Sequence, residues 1–552
     1  MPLSCGVDRV RVFLTASVDM TAKTLLTGLL ALSLCATAQA AAPAAAAEPG
    51  LSLTLLGRYS TGVFEGGGAE IPAYDPLTRR LFVVNLAARA VDVLDIHNPA
   101  APVKVGSLDM SELGLAANSV SVKGGVLAVA VEALVKTDPG VVGFYDTSSL
   151  QLVSQATVGA LPDMVTWTPD GRRVLVANEG EPNDDYSIDP EGTVSIVDVS
   201  TLVSPVVRTV DFRRYNSDAA RARLLAQGAR LFGPGASTAQ DFEPEYITVD
   251  PNGKRAWVTL QEANAIATVD IASARVIAVR GLGSKDHSQP GQGLDASDRD
   301  SAIRIANWPV QGYYMPDAIG NFSVDGQRYL VTANEGDSRE YSTYNETARV
   351  KDLALDPVAF PDAATLKAEA NLGRLTVTKA QGDLDNDGDF DRLYSFGARS
   401  ISIWRADGQR VWDSGDAIER IVAAQNPGFF NSDHAENAFD NRSDNKGPEP
   451  EGLVLTRLLG KPVVFVGLER VGGVMAYDLS VPSAPRFLQY FNPRDFSADP
   501  ATPAAGDLGP EGLIVITAED SPTGEPLLVV ANEVSGTTSL LAIRRAAPPT
   551  GR

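Results

Sequence analysis

The stretch Asp163–Asp198, DMVTWTPDGRRVLVANEGEPNDDYSIDPEGTVSIVD, carries the reading of the whole chain. Apolar and polar residues alternate over Asp163–Thr168 and again over Arg173–Glu179. Pro169, Asp170 and Gly171 between them form a turn signal, so the two runs read as an antiparallel hairpin. Residues 192–198 add a third strand. The same phrase returns at Glu245–Asp270, EYITVDPNGKRAWVTLQEANAIATVD, and in weaker form from Glu70, Asn118, Asp317, Glu451 and Glu511. Seven units result. A few antiparallel strands cannot bury both faces alone, so the expected fold is all-β, a seven-bladed β-propeller formed by radial stacking over residues 51–545 as one domain. Leu51–Tyr59 reads as a strand that completes the last blade and closes the ring.

The spacing of the units is uneven because of insertions. Residues 201–242 contain an expected helix at Ala219–Leu231, and 284–315 read as a Gly/Asp/Ser-rich loop. Residues 339–382 and 416–449 are further excursions, each with one helical stretch, and the insertions are expected to decorate one end of the disk. Trp308, Tyr313 and Tyr314 either wall a ligand site there or pack an insertion onto the disk.

Around this core the 552 residues carry 47 Lys plus Arg against 69 Asp plus Glu, a formal charge of -22. That excess of acid argues against a nucleic-acid-binding surface. With 44% hydrophobic and 21% charged residues the chain is neither disordered nor a multi-pass membrane protein. Residues 1–40 read as a secretory signal peptide starting at Met20, with Lys23, an apolar run from Leu25 to Ala36 and a small-residue cleavage site at Ala38-Gln39-Ala40. Residues 41–50 read as a flexible linker and 546–552 as a disordered tail. Cys5 and Cys35 are the only cysteines and both precede the expected cleavage, so the exported product depends on packing or metal ions rather than disulfides. A soluble, monomeric, periplasmic or secreted protein without a membrane span is expected.

The acids fall at repeated hairpin positions. Pairing the residue that opens strand one with the residue that ends strand two gives Glu70 with Asn85, Asn118 with Glu132, Asp163 with Glu179, and Glu245 with Glu262. Asp317 with Glu335, Glu451 with Glu469, and Glu511 with Glu533 complete the set. Twelve of these fourteen are Asp or Glu. If strand one is innermost, they converge on one mouth of the central channel, where like charges must be protonated, paired or neutralised by cations. Acids that merely cap strand ends would recur in the same way. A cation held there would be hard and oxygen-ligated, as only His97, His287 and His434 accompany the carboxylates.

A second acidic site is the run Asp383, Asp385, Asp387, Asp389 and Asp391, with Gly388 for the tight turn. The spacing fits a Ca2+ loop of DxDxDGxxD type, without the position-12 glutamate of an EF-hand because Tyr394 stands there.

Several runs, among them Ala177–Pro182 (ANEGEP), Asp189–Ile196 (DPEGTVSI), Ala333–Arg339 (ANEGDSR), Tyr394–Arg399 (YSFGAR) and Gly447–Gly452 (GPEPEG), resemble the choice-of-anchor I family. That family comprises exported β-propeller proteins related to mesenchyme-specific cell-surface glycoproteins. Some of its members are labelled alkaline phosphatase, which implies a metal-dependent phosphoesterase as the alternative to a recognition module. For that alternative Arg339, Arg442, Lys446 and Arg470 are candidates to clamp a phosphate, and His434 a candidate ligand or general base. Glu179, Glu335, Glu451 and Glu511 are its candidate ligands for a catalytic metal. The recognition reading requires only Ca2+, a possible second divalent metal at the channel mouth, and an unidentified ligand or partner.

Overall fold

The computed structural model describes residues 50–546. The expected signal peptide, residues 41–49 of the linker and residues 547–552 of the tail lie outside the described residues. Seven four-stranded antiparallel sheets follow one another along the chain. The third is typical: Pro162–Trp167, Arg173–Asn178, Thr193–Asp198 and Val206–Val210 lie side by side in sequence order. The opening strands of neighbouring sheets adjoin one another in a closed cycle, from Pro72–Asp75 through Ala117–Lys123, Pro162–Trp167, Pro244–Val249, Ile319–Val324 and Pro450–Leu458 to Pro510–Ile516 and back. This is a β-propeller.

Turn chemistry and side-chain alternation produce it. Gly171 and Gly253, at φ 67°, close the expected Asp-Gly and Asn-Gly turns, and Asp325-Gly326 joins Val324 to its partner Gln327 in a two-residue turn. Within each second strand successive side chains face different neighbours. Phe82 and Val84 pack with Leu127 and Val129 of the second sheet, whereas Leu81 and Val83 pack with Val529 and Leu540 of the seventh. The hydrophobic core is thus a set of seams between sheets. Leu51–Ser60 pairs antiparallel with Thr537–Arg545 and forms the outer strand of the seventh sheet, so that sheet joins the first described strand to the last.

The insertions depart from expectation in one respect. Residues 284–315 are more than a loop: Ser284–Asp286 and Gln311–Tyr313 join Tyr394–Ser395, Thr376–Thr378 and Thr347–Arg349 in a five-stranded sheet. Trp308 packs beneath it with Leu294, Leu372 and Leu393, and Tyr314 meets Trp404 of the fifth sheet edge-on at 5.1 Å. These aromatics therefore pack the insertion onto the disk and do not wall an open site. The helix expected at Ala219–Leu231 is Asp218–Leu225, ending just before Gly228 at φ 80°. Residues 416–449 supply the helix Ala417–Gln425, and 339–382 a single turn at Ala363–Leu366. Among the described residues no helix is long and apolar enough to cross a membrane.

Candidate functional site

The acids that open the first strands owe their direction to a recurrent backbone device. Asp163, Glu245, Asp317, Glu451 and Glu511 each follow a proline. After four of these prolines, Pro162, Pro244, Pro450 and Pro510, the strand register shifts before pairing resumes. Such a bulge removes the acid from the ladder and re-aims its side chain, and proline tolerates the first strand position because no ladder donor is needed there. Glu70, Asp163, Glu245, Asp317, Glu335, Glu451 and Glu511 all line one cavity of about 720 Å³. Residues of all seven sheets or their immediate flanks contribute to its wall.

Three of the acids that end second strands follow an asparagine that fixes the backbone there. Asn178 Nδ2 donates to Thr193 Oγ1 at 3.1 Å and Ser195 Oγ at 3.0 Å, and Asn334 Nδ2 to Ser400 Oγ at 3.1 Å and Ser402 Oγ at 2.8 Å. Asn532 reaches Thr537 Oγ1 at 3.2 Å. Each buried amide ties the second strand to the third immediately before Glu179, Glu335 or Glu533. The repeated Ala-Asn-Glu triple was the sequence signal for this lock.

The carboxylates stand close together. Candidate ligand atoms lie within 4.8 Å of one another in the groups Glu179, Glu245 and Glu262; Asp317, Glu335 and Glu451; Glu335, Glu449 and Glu469; and His434, Glu469 and Glu533. Burial, with repulsion from Glu533 and Asp163, pushes Glu70 up to about 8. Burial, with Glu181 and Glu132, pushes Asp163 up to about 7. Burial likewise holds Glu245, Glu262, Asp317, Glu451 and Glu511 well above the ordinary carboxylate range, with neighbouring acids adding to it.

One acid behaves oppositely. Glu449 is fully buried, which alone would raise it, yet Lys446, Arg442 and Arg470 hold it below the usual range. Lys446 Nζ lies 2.9 Å from Glu449 Oε2 and 2.7 Å from Glu335 Oε1. Arg442 meets Glu449 Oε1 at 2.5 Å, and Arg470 meets Glu449 Oε2 at 3.2 Å and Glu469 Oε1 at 2.9 Å. Arg470 Nη1 also contacts both ring nitrogens of His434, at 3.0 and 2.8 Å. Arg339 binds elsewhere, to Asp241 at 2.9 Å and Glu243 at 2.8 Å.

The four cations expected to clamp a phosphate all meet carboxylates. Arg339, Arg442, Lys446 and Arg470 are each held by buried carboxylates, because a cation folded into an acidic rim takes the nearest anion. Of the loop acids, Asp383, Asp385 and Asp391 bring their oxygens together. Asp387 Oδ1 instead accepts the Asp389 amide at 3.1 Å, and neither Asp387 nor Asp389 belongs to that group. Asn85 is a packing residue, donating to Asp92 Oδ2 at 3.1 Å, and Asn118 donates to the Pro162 carbonyl at 3.3 Å.

With this geometry in view, the profile of the Choice-of-anchor I domain matches residues 70–482. The chain belongs to the choice-of-anchor I family.

Two curated relatives of this choice-of-anchor I protein bracket its reach. It is 34% identical over 193 residues to Gigasin-3a of Magallana gigas, covering 33% of this chain and 67% of that protein. It is 29% identical over 328 residues to the mesenchyme-specific cell surface glycoprotein of Strongylocentrotus purpuratus, covering 52% of this chain and 42% of the relative's length. Among solved structures, hydrazine synthase of Kuenenia stuttgartiensis superposes with a TM-score of 0.45 and 14% identity, covering 89% of this chain and 99% of that one.

Sequence reasoning missed several residues of this choice-of-anchor I propeller. Glu449, the hub of three cations, lies two residues before Glu451 and at none of the repeated hairpin positions. Asp241 and Glu243, which hold Arg339, and Glu181, which pairs with Lys136, lie off the repeated hairpin positions. Only the run of acids around each repeat hinted at them.

Proposed function

We propose that this choice-of-anchor I propeller is an exported, Ca2+-binding recognition module, with divalent cations at the acidic rim of its central channel and in the loop Asp383–Asp391, and a ligand or partner docking at that rim. The observation that carries the reading is the convergence of carboxylates from successive sheets on one cavity, with several of them unpaired. Burying that much like charge favours either protonation or a bound cation, and oxygen-only donors suit a hard ion. In the loop, Asp383, Asp385 and Asp391 offer a compact oxygen set with Gly388 at φ 98° forming the turn. Export rests on the signal-like residues 1–40, and the name of the sea-urchin relative, a cell surface glycoprotein, agrees with it. The phosphoesterase alternative requires a cation facing the phosphate, and Arg339, Arg442, Lys446 and Arg470 are already held by carboxylates.

The test is calorimetric titration of the chelator-stripped full chain with Ca2+, with phosphomonoester and phosphodiester hydrolysis assayed in parallel under Ca2+ or Mn2+. Saturable Ca2+ binding that raises the melting temperature, with no metal-dependent turnover, is expected. A folded chain that binds no Ca2+ would overturn the reading. So would metal-dependent hydrolysis abolished by Glu451→Gln or Glu511→Gln.

A further inference from the structure

The carboxylate groups around the cavity differ in what already holds them. Glu335, Glu449 and Glu469 are closed by Lys446, Arg442 and Arg470. The group of Asp317, Glu335 and Glu451 shares Glu335, whose Oε1 takes Lys446 at 2.7 Å and whose Oε2 takes the Gln261 amide at 2.9 Å. In the His434 group, Arg470 occupies both Glu469 Oε1 and the imidazole.

The remaining group has no such partner. Glu179 follows the second strand of the third sheet, Glu245 opens the fourth, and Glu262 follows the fourth sheet's second strand. Among the described residues no side-chain hydrogen bond or ion pair reaches any of these three carboxylates. Glu262 is only 6% exposed, and its Oε2 and that of Glu245 are buried without a hydrogen-bond partner. Leaving such oxygens desolvated is costly unless something compensates them. Glu245 lines the channel cavity, and Glu262 lines a separate recess of about 590 Å³ with Lys136, Asp184 and Tyr341.

We propose that the acids are divided: one hard divalent cation is held by Glu179, Glu245 and Glu262 between cavity and recess, and the group Glu335, Glu449 and Glu469 is a permanent ion-pair network that stays free of metal. This rests on the reading of the rim as metal-binding and specifies where that metal sits. Three carboxylates whose ligand atoms lie within 4.8 Å of one another suit Ca2+ or Mn2+ better than a thiolate-seeking ion. Ca2+ takes about six to eight oxygens, so three residues leave coordination positions for water or for an oxygen-bearing ligand entering the recess. The ion-paired half then acts as a scaffold. Its internal cations keep it from competing for the metal.

The test uses the full chain with the loop silenced by Asp383→Asn and Asp391→Asn. Crystals soaked in Mn2+ should give an anomalous peak among Glu179, Glu245 and Glu262, and none among Glu335, Glu449 and Glu469. In solution, Glu262→Gln should weaken Ca2+ and Mn2+ binding at least tenfold. The same variant in chelator should melt no lower than its parent, because an unpartnered buried carboxyl is replaced by a neutral amide of the same shape, which separates lost binding from misfolding. A peak confined to the groups that contain Glu335 or His434 would overturn the division while leaving a metal-binding rim. No peak and no titratable binding in the folded, loop-silenced chain would remove the rim reading itself. Stabilisation by spermidine with none by either metal would replace the inorganic ion with an organic cation and overturn the proposal.

Discussion

His287 is 1% exposed, and its Nδ1 lies 2.6 Å from the Gln292 carbonyl, to which it donates, while Nε2 has no partner. Protonation would place a charge on that bare nitrogen. Burial first, then the nearby positive Lys285 and Arg399, hold its pKa well below the ordinary histidine value, with the Gln292 bond and Asp286 acting weakly the other way. The folded chain therefore stays unprotonated here while the unfolded chain takes up a proton near pH 6.5. The unfolded state binds more protons below that pH, so stability falls as pH falls, by about 1.4 kcal/mol per pH unit from this one group. Urea unfolding of wild type and His287→Gln from pH 7.5 to 5 should show the difference between them moving in the variant's favour with that slope. Titration of the rim carboxylates is common to both and cancels. A pH-independent difference would mean that the imidazole is not buried neutral.

At the scale of single elements, the inner strands of the sixth, seventh and first sheets approach closely because a glycine follows Glu451 and Glu511. A Cβ on Gly452 would stand 1.9 Å from the Glu511 carbonyl oxygen, and one on Gly512 would stand 2.4 Å from Pro72 Cδ. Gly452→Ala must push the sixth and seventh sheets apart, at a cost of about 1–3 kcal/mol. Denaturant unfolding should record that loss, and an unchanged midpoint would mean that the strands are not so tightly apposed. The hairpins themselves were legible, because period-two alternation and Pro-Asp-Gly or Asn-Gly turns are local signals. The strands Ser284–Asp286 and Gln311–Tyr313 were not, since each is three residues long and the sheet they enter is built largely from residues beyond 340. The repeated hairpin positions carried a signal for Glu70, Asp163, Glu245, Asp317, Glu335, Glu451 and Glu511, which share one cavity. The partners of Arg339, Arg442 and Lys446 could not, because three insertions decide in space which carboxylate each cation meets.

For the molecule as a whole, stability depends on closing the ring. The strand Leu51–Ser60 contributes Leu53 to the seam with Phe465, Leu528 and Ile543, and Arg58 meets Asp507 at 2.6 Å. Asp507 in turn accepts from Thr537 Oγ1 and Ser539 Oγ, each at 2.7 Å, so the last strand is bound to the same carboxylate. Deleting residues 50–60 removes a buried leucine worth about 1.5–3 kcal/mol and bares the edge of Thr537–Arg545. The truncated chain should melt lower and elute as larger species in size-exclusion chromatography. A monomer with unaltered melting would show that the seam is dispensable.

That seam also orders events in time. The seventh sheet needs Leu51–Ser60 and Thr537–Arg545 together, so a chain delivered from its amino end waits with one strand unmatched until Thr537–Arg545 has emerged. Contacts so distant in sequence are slow to form, and until they do the open disk presents an edge to any other extended chain. Completion of the ring thus waits for Thr537–Arg545, and a chain stopped before that strand lacks the latch.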